Sequence, residues 1–373
     1  MADSINEHTL KLANYLLEAG GRRNLVSISG ILSYLTLSLI NTGLHGPEKD
    51  QMLGLLNSDN SLEEFACPTF EMLLSCISTY GWTEFSRIAV SKTAIFHSSN
   101  LTDDFKQKAI GSFGIELIGI DANSEMFQRY IIDKWKRSLP NIPFLDSSFK
   151  PFQDELKLLF MNQYYLSFQW RLPFNKRYTK IGSFTDIYNS VVNVHLMRIV
   201  NILRYYKDEQ LNATIVFLQL KDTEIRAVVV LPDADTNIKY ILKRMKSEKI
   251  KQWFEHSDTI RIALYLPRFR IIQKVSLKSF FKFYQLSGLF MNNGADLSQI
   301  INGGGYINDY IQISGIKIDE HGSYALEKPY QPILYRVSNL TMPIEITRPF
   351  IFYLYSWEKN LVVHFSVITE IFS

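Results

Sequence analysis

The chain has 373 residues, 46% of them hydrophobic, which is ample for a large buried core. Forty basic residues stand against 37 acidic ones, and the formal charge of +3 excludes an electrostatic case for nucleic acid or a membrane surface as partner. Twenty tyrosines and 25 phenylalanines favour a sheet-rich fold.

The N-terminal segment lacks a basic stretch followed by an apolar one, so the chain reads as leaderless. Residues 8–19 predict an amphipathic helix, with Leu10, Leu12, Ala13, Leu16 and Leu17 on one side. Residues 31–43 are apolar almost all round and predict a buried helix stopped by Gly43. Pro47 stands near the start of a third helix, and residues 60–79 carry a fourth. Cys67 and Cys76 are the two cysteines, too few for a disulfide framework and compatible with a reducing compartment. Arg87–Phe96 predicts a strand, Leu101–Ser112 a helix opened by Thr102 and two aspartates, and Ser124–Ser138 another helix.

From about residue 154 the pattern changes. Residues 157–170 read as a long strand buried on both faces, followed by strands at Val191–Met197, Thr214–Leu220, Glu224–Leu231, Ile260–Pro267 and Ile311–Asp319. Helices interrupt at 236–245 and 276–287. Helices first and strands later predict an α+β fold with one large, mainly antiparallel sheet. No repeat period or linker-like shift divides the chain, which implies a single domain. No apolar run approaches the roughly 20 residues that span a bilayer.

Familiar catalytic and metal patterns are missing. Gly303-Gly304-Gly305 is followed by Tyr306 rather than a Lys-Ser/Thr pair and reads as a tight turn. There is no His-Glu-x-x-His, paired-Cys or Gly-x-Ser-x-Gly motif, so neither an enzyme nor a metal or cofactor site is expected. Asn100, Asn212 and Asn339 head glycosylation triplets, which carry weight only for a secreted chain.

The organising stretch is Ile316–Tyr355. It opens with an alternating strand at Ile316–Asp319 and closes with an apolar one at Phe350–Tyr355. Between them the chain has neither a helical nor a strand period and is punctuated by Pro329, Pro332, Pro343 and Pro349. Structureless connections of this length between core strands are typically functional.

Several motifs converge around that stretch. Asn162, Trp170, Phe174, Thr179 and Phe184 are spaced as in the third strand of the large serpin sheet and the strand after it. Val192, Val194, Leu196 and Met197 follow, then Leu266-Pro267-Arg268-Phe269 and the segment Asn293–Ser298. Ile318-Asp319-Glu320-His321-Gly322 matches the approach to a reactive-centre loop, and Arg348-Pro349-Phe350 its exit. Through nearly its whole length the chain therefore resembles the serpin superfamily. The resemblance implies an α+β fold with a large five-stranded sheet, smaller sheets and about eight to nine helices, in one domain over 1–373 with an exposed loop over 323–347.

It also implies a function. An inhibitory serpin offers its loop as bait to a serine protease, is cleaved, and inserts the cleaved loop as a new strand while the protease is held as an acyl-enzyme. The bait lies fourteen positions after the hinge glycine in most inhibitory members, and from Gly322 that count reaches Arg336, with Val337 following. An arginine suits a trypsin-like protease. The exit side is about two residues longer than usual, which keeps Tyr335 and Ser338 open as alternatives. Glu320, Gly322, Ser323, Tyr324 and Ala325 form the hinge; Arg268, with Glu320 and Trp170, belongs to the breach at the top of the sheet; Ser29 and Gln312 belong to the shutter that gates its opening. The implied protein is a monomer that needs no cofactor, located in the cytoplasm or exported without a leader.

The sequence also departs from the family. In place of alanines the hinge continues Leu326-Glu327-Lys328-Pro329. If Ser323 and Ala325 enter the sheet interior, Glu327 follows them there; if the alternation shifts, Tyr324, Leu326 and Lys328 do. A buried carboxylate is costly unless paired, and a proline removes a ladder donor. Gly30 replaces a proline, Gln312 a histidine, and Val363-His364-Phe365-Ser366-Val367 the usual Phe-x-Gly-Arg/Lys close. These departures support a rival reading, a non-inhibitory serpin whose loop is a substrate or a docking segment.

Overall fold

The computed structural model describes residues 1–20, 25–56, 81–139, 155–325 and 341–371. Helix α1 spans Ala2–Ala19, six residues more at its start than the apolar pattern marks, and buries Ile5, Leu10, Leu12, Ala13 and Leu17. Strand β1 (Val26–Ile28) leads into helix α2 (Gly30–Thr42), which is buried from Gly30 to Asn41 and capped by Ser29, whose hydroxyl accepts from Leu32 N. Helix α3 is Pro47–Leu56. The helix expected over residues 60–79, with Cys67 and Cys76, lies outside the described residues.

A short helix at Trp82–Ile88 runs directly into β2 (Ala89–His97). The expected Leu101–Ser112 helix is split. Thr102 caps an α-helical turn over Asp103–Gln107, and a wider π-helical turn follows over Lys108–Ser112. After β3 (Glu116–Gly119) comes a helix at Glu125–Lys136, capped by Ser124. Strand β4 (Leu158–Leu166) is buried at all nine positions, as its continuous apolar run predicts. The two-residue β5 (Phe168–Gln169) and then β6 (Lys180–Thr185) follow.

Strand β7 runs Val191–Asp208, eleven residues beyond its predicted end, then β8 (Ala213–Gln219) and β9 (Ile225–Pro232). Helices at Ile238–Arg244 and Ser247–Glu255 precede β10 (Asp258–Pro267) and β11 (Phe269–Ser276). The expected helix over 276–287 ends at Phe283, because Gln285 takes a left-handed φ of 64° that no α-helix accommodates; a 3-10 turn follows at Ser287–Phe290. The remaining strands are β12 (Asp309–Asp319), β13 (Gly322–Ser323), β14 (Met342–Glu345), β15 (Phe350–Ser356) and β16 (Leu361–Ile368).

The strands form two sheets. One has the order β3-β2-β4-β12-β13-β5 with β11 on the far side of β12; its five members of four or more residues are the expected large sheet. The other has nine strands, β1-β16-β15-β9-β8-β7-β10-β14 with β6 on β7. It is continuous because β7 is long enough to serve twice, pairing with β6 through its first third and with β8 through its last. The core lies between the inner faces of the two sheets and against α1 and α2. On the outer face of the seven-stranded sheet, Ile132 and Trp135 of the Glu125–Lys136 helix pack on Ala94 and Phe96 of β2, Leu159 and Met161 of β4, and Ile311 and Ile313 of β12. That helix therefore lies across the seam between β4 and β12.

The loop expected to be exposed over 323–347 is shorter at both ends. Ser323 is buried in β13, and Met342–Glu345 pairs parallel with β10 as β14, although the sequence there shows no strand period. The reason is geometric: β14 is four residues on a sheet edge, too short and too exposed for alternation to register.

Candidate functional site

The parallel seam between β4 and β12 is registered from Leu159–Asp309 to Tyr165–Gly315. Above that last pair β13 lies between its neighbours. Ser323 stands opposite Ile318 on one side and Phe168 on the other, and Gly322 opposite Asp319 and Gln169. Two hinge residues are thus already part of the sheet. Ser323 Oγ donates to Leu166 O (2.9 Å) and accepts from Lys317 N (3.4 Å). Gly322 has a φ of +140°, and a Cβ there would lie 2.1 Å from Phe168 O, so only glycine fits.

At Tyr324 the chain leaves the sheet with a left-handed φ of 44°. Its ring packs edge-on against Tyr165, centroids 5.3 Å apart, within a small cluster on the outer face that includes Leu139 and Ile272. Burial raises the Tyr324 hydroxyl above its ordinary value, and Arg270 opposes that rise. Ser323 faces inward and Tyr324 packs on the outer face, and the ladder pairing ends at Ser323. Arg336, Val337, Tyr335, Ser338, Glu327 and Pro329 lie outside the described residues.

At the breach the Asp319–His321 turn is clamped on three sides. Trp170 Nε1 donates to Asp319 O (2.8 Å), Phe174 N to Glu320 O (2.9 Å) and Trp170 N to His321 O (3.0 Å). The Glu320 side chain, 1% exposed, accepts from Arg268 through Nε (3.0 Å) and Nη2 and from Thr179 Oγ1 (2.6 Å). Burial alone would raise the Glu320 carboxyl; the hydrogen bonds from Arg268 and Thr179 outweigh it and hold the group below its ordinary value. The structure thus brings Arg268, Trp170 and Glu320 together, and adds Thr179 as a partner that the sequence had marked only by its spacing.

In the middle of the seam two side-chain amides form the bridges. Gln312 of β12 pairs its side-chain amide with the backbone of Ser29, accepting from Ser29 N (2.9 Å) and donating to Ser29 O (3.1 Å). Asn162 of β4 donates to Thr93 Oγ1 (2.8 Å) and accepts from the Tyr310 hydroxyl. Gly30 is explained by its neighbour, since a Cβ there would lie 1.7 Å from Thr9 Oγ1 of α1.

Sequence reasoning missed a second polar group behind the sheet. His364 Nδ1 meets the Tyr164 hydroxyl (3.0 Å) and His364 Nε2 meets Ser366 Oγ (2.7 Å). Ser366 stands opposite Ser27 in the β1–β16 pairing, and Ser314 Oγ donates to Ser27 O (2.8 Å). All five side chains are buried. Burial pushes His364 down to about 3, so the imidazole is neutral. The available signal was a histidine and a serine inside an otherwise apolar strand.

Comparison with known proteins gives this arrangement its family. The family model described as Serpin (serine protease inhibitor) matches residues 3–370. The chain belongs to the serpin family. Mouse (Mus musculus) Serpin B10 is 23% identical over 388 residues, covering 95% of each chain. Among solved structures, mouse protein-Z dependent protease inhibitor superposes with a TM-score of 0.83 at 19% identity, over 100% of this chain and 97% of that one. Human thyroxine-binding globulin also reaches 0.83, at 16% identity, over 100% and 99%. One neighbour is named for inhibiting a protease and the other for binding thyroxine, so the serpin fold by itself does not select between inhibition and another role. Among the described residues no helix is long and apolar enough to cross a membrane, and no group of acidic, His or Cys side chains is placed to hold a metal ion.

Proposed function

We infer that this serpin is an inhibitor of a trypsin-like serine protease, with Arg336–Val337 as the reactive bond, working as a monomer without a cofactor. The observation that carries the reading is β13. Gly322 and Ser323 already hydrogen-bond on both sides inside the sheet, so a cleaved loop has a seeded strand to extend. Extension requires the seam to part below Tyr165–Gly315 and Tyr324 to leave its left-handed conformation for an extended one. Each residue added then regains ladder bonds to both neighbours, at roughly 1 kcal/mol net per bond.

A second reading is favoured by the register. Counting on from Ser323, Pro329 of an inserted strand falls between Asn162 and Gln312, in the middle of the sheet, where it has no N–H to give. That position slows insertion and supports a loop that is cut but does not trap.

Incubation with trypsin followed by denaturing gel electrophoresis separates the two. A covalent complex is expected, together with a small fragment whose sequence begins at Val337. Cleavage chiefly after Lys328, or none in the loop, removes the bait assignment. Clean cleavage after Arg336 without a complex selects the substrate-like reading.

A further inference from the structure

Away from the seam, three arginines meet on the nine-stranded sheet where β8 turns into β9. Arg204 of β7 stands opposite Phe217 of β8, and two residues further along β8 Gln219 stands opposite Arg226 of β9. Directly opposed residues share a face, and so do residues two apart on a strand, so Arg204, Gln219 and Arg226 point the same way. Arg171 joins them from the segment after β5, its N–H donating to Gln219 O (3.0 Å).

These cations lack a counter-charge. Arg226 Nη1 donates to the carbonyls of Thr223 and Ile225, and Arg204 Nη1 to Ser257 Oγ (3.1 Å) and Phe254 O. Among the described residues none of the three arginines pairs with a carboxylate. The nearby acids are already engaged: Arg87 holds Asp222 through Nε (2.7 Å) and Glu224 through Nη1. Burial weakens the hold of Arg226 on its proton, the charges of Arg204 and Arg171 weaken it further, and Asp222 opposes them. Three like charges gathered around one glutamine repel each other, and a bound anion would relieve that repulsion. Backbone carbonyls and a serine fix Arg204 and Arg226 through Nη1 alone, which leaves Nε and Nη2 of both as donors for a ligand.

We propose that Arg171, Arg204 and Arg226 form a binding site for a phosphate or sulfate group, with the Gln219 amide as a further donor. Guanidinium forks engage such groups through paired N–H bonds. A tetrahedral oxyanion can offer separate oxygens to donors converging from three segments, whereas a carboxylate has two oxygens in one plane. Arg204 and Arg226 belong to the sheet that does not contain β13, so the site does not depend on whether the loop inserts.

The test titrates the full chain with inorganic phosphate, inorganic sulfate and acetate by calorimetry, and follows its melting temperature in each, against chloride at matched ionic strength. Phosphate and sulfate should bind and raise the melting temperature; acetate should do neither. Arg204→Gln and Arg226→Gln should each weaken phosphate binding about tenfold or more, the weight of a charge-assisted hydrogen bond. Arg171→Gln should weaken binding too, yet leave the melting temperature in chloride unchanged or higher, because in the free protein this arginine adds repulsion to Arg226. General damage to the fold would lower both. Lys134→Gln, exposed on the Glu125–Lys136 helix, should change neither and controls for net charge. Should Arg226→Gln not fold, the Arg171 and Arg204 variants carry the test by themselves. Glycerol phosphate bound as tightly as inorganic phosphate would show that the group can arrive as an ester; exclusion of the ester would assign the site to the free ion. Phosphate binding no tighter than that of acetate, binding that survives all the arginine substitutions, or an equal loss in Lys134→Gln overturns the site.

Discussion

At the upper end of the β4–β12 seam the serpin holds an ion pair, a glycine at +140° and a tyrosine at +44°; in the closed part below, from Tyr164–Ser314 down to Asn162–Gln312, it holds amides, hydroxyls and a neutral histidine. The upper end is open and already carries two residues of a new strand. The lower end is closed by side chains that bridge β12 and β4 to β1, β2, α2 and β16. The ion pair sits where one of its partners reaches solvent, Arg268 being about a third exposed, and the bridges below it at Gln312, Asn162 and Tyr164 are neutral hydrogen bonds. The comparison teaches that a sheet made to part from one end can be seeded there and latched at the other with different chemistry in each place.

The two ends should respond to pH in different windows, and this is the largest expected effect. His8, whose Nε2 meets Ser33 Oγ (2.8 Å), and His364 are both pushed down by burial to about 3. Their folded values lie below the unfolded value near 6.5, so the unfolded chain binds more protons and stability falls as pH drops below it. At about 1.4 kcal/mol per histidine per pH unit, the loss between about pH 6.5 and 4.5 is roughly 5 kcal/mol. Urea unfolding across that window checks it: His8→Gln and His364→Gln should each flatten about half of the slope. A double variant with the parent's slope would mean that these two histidines do not carry the acid sensitivity.

Breaking the upper end comes next. Glu320→Lys places a second cation beside Arg268 in a site where the native carboxylate is buried. Breaking a fully buried pair costs about 3–5 kcal/mol, and the exposure of Arg268 argues for the lower figure, about 3 kcal/mol. We expect a lower melting temperature and loop–sheet polymers on heating. A variant that melts like the parent and stays monomeric would contradict the role assigned to the pair.

The lower end should give slightly less. Gln312→Leu leaves the N–H of Ser29 without its partner in a buried site, while the Ser29 C=O keeps only its bond from Ser33 N, at about 2 kcal/mol. Because those two bonds tie β12 to the start of α2, the seam should also part more readily. Faster hydrogen exchange at the amides of β4 and β12 would show this; unchanged exchange with lowered stability would place the loss elsewhere.

How much of this was legible in the sequence depends on distance along the chain. Strand β4 was plain because nine apolar or neutral residues in a row leave no other reading. Strand β11 was not read as one, since the apolar pair Ile271-Ile272 and the polar pair Gln273-Lys274 break the alternation of its sequence. The Ser247–Glu255 helix was missed for a related reason: it buries only Ser247, Ile250 and Trp253, and its N-cap Lys246 supplies no side-chain cap, the first N–H being met instead by Glu7 from α1. At the site, the breach was visible through family motifs. The His364 ring was not, because Ser27, Tyr164, Ser314 and Ser366 meet only after four strands from two sheets have come together.

The smallest effect refines the upper end. Thr179 Oγ1 donates to the same Glu320 oxygen that Arg268 engages. Thr179→Val keeps the shape of the side chain and removes that one donor, at about 1 kcal/mol, or a melting shift of roughly 2–4 °C. The sign with pH follows from the lowered Glu320 value. A carboxyl held below 4.5 stabilises the fold above that pH and loses the contribution as pH falls through its folded value. Removing the Thr179 bond moves the folded value back up toward 4.5, so the variant should lose its remaining stabilisation at a higher pH than the parent. Melting curves taken between about pH 5 and 3 should show the two proteins converging as the carboxyl protonates in both. A constant gap across that range would mean that Thr179 supports the fold by packing alone, and that the charge at the breach is held by Arg268 without help.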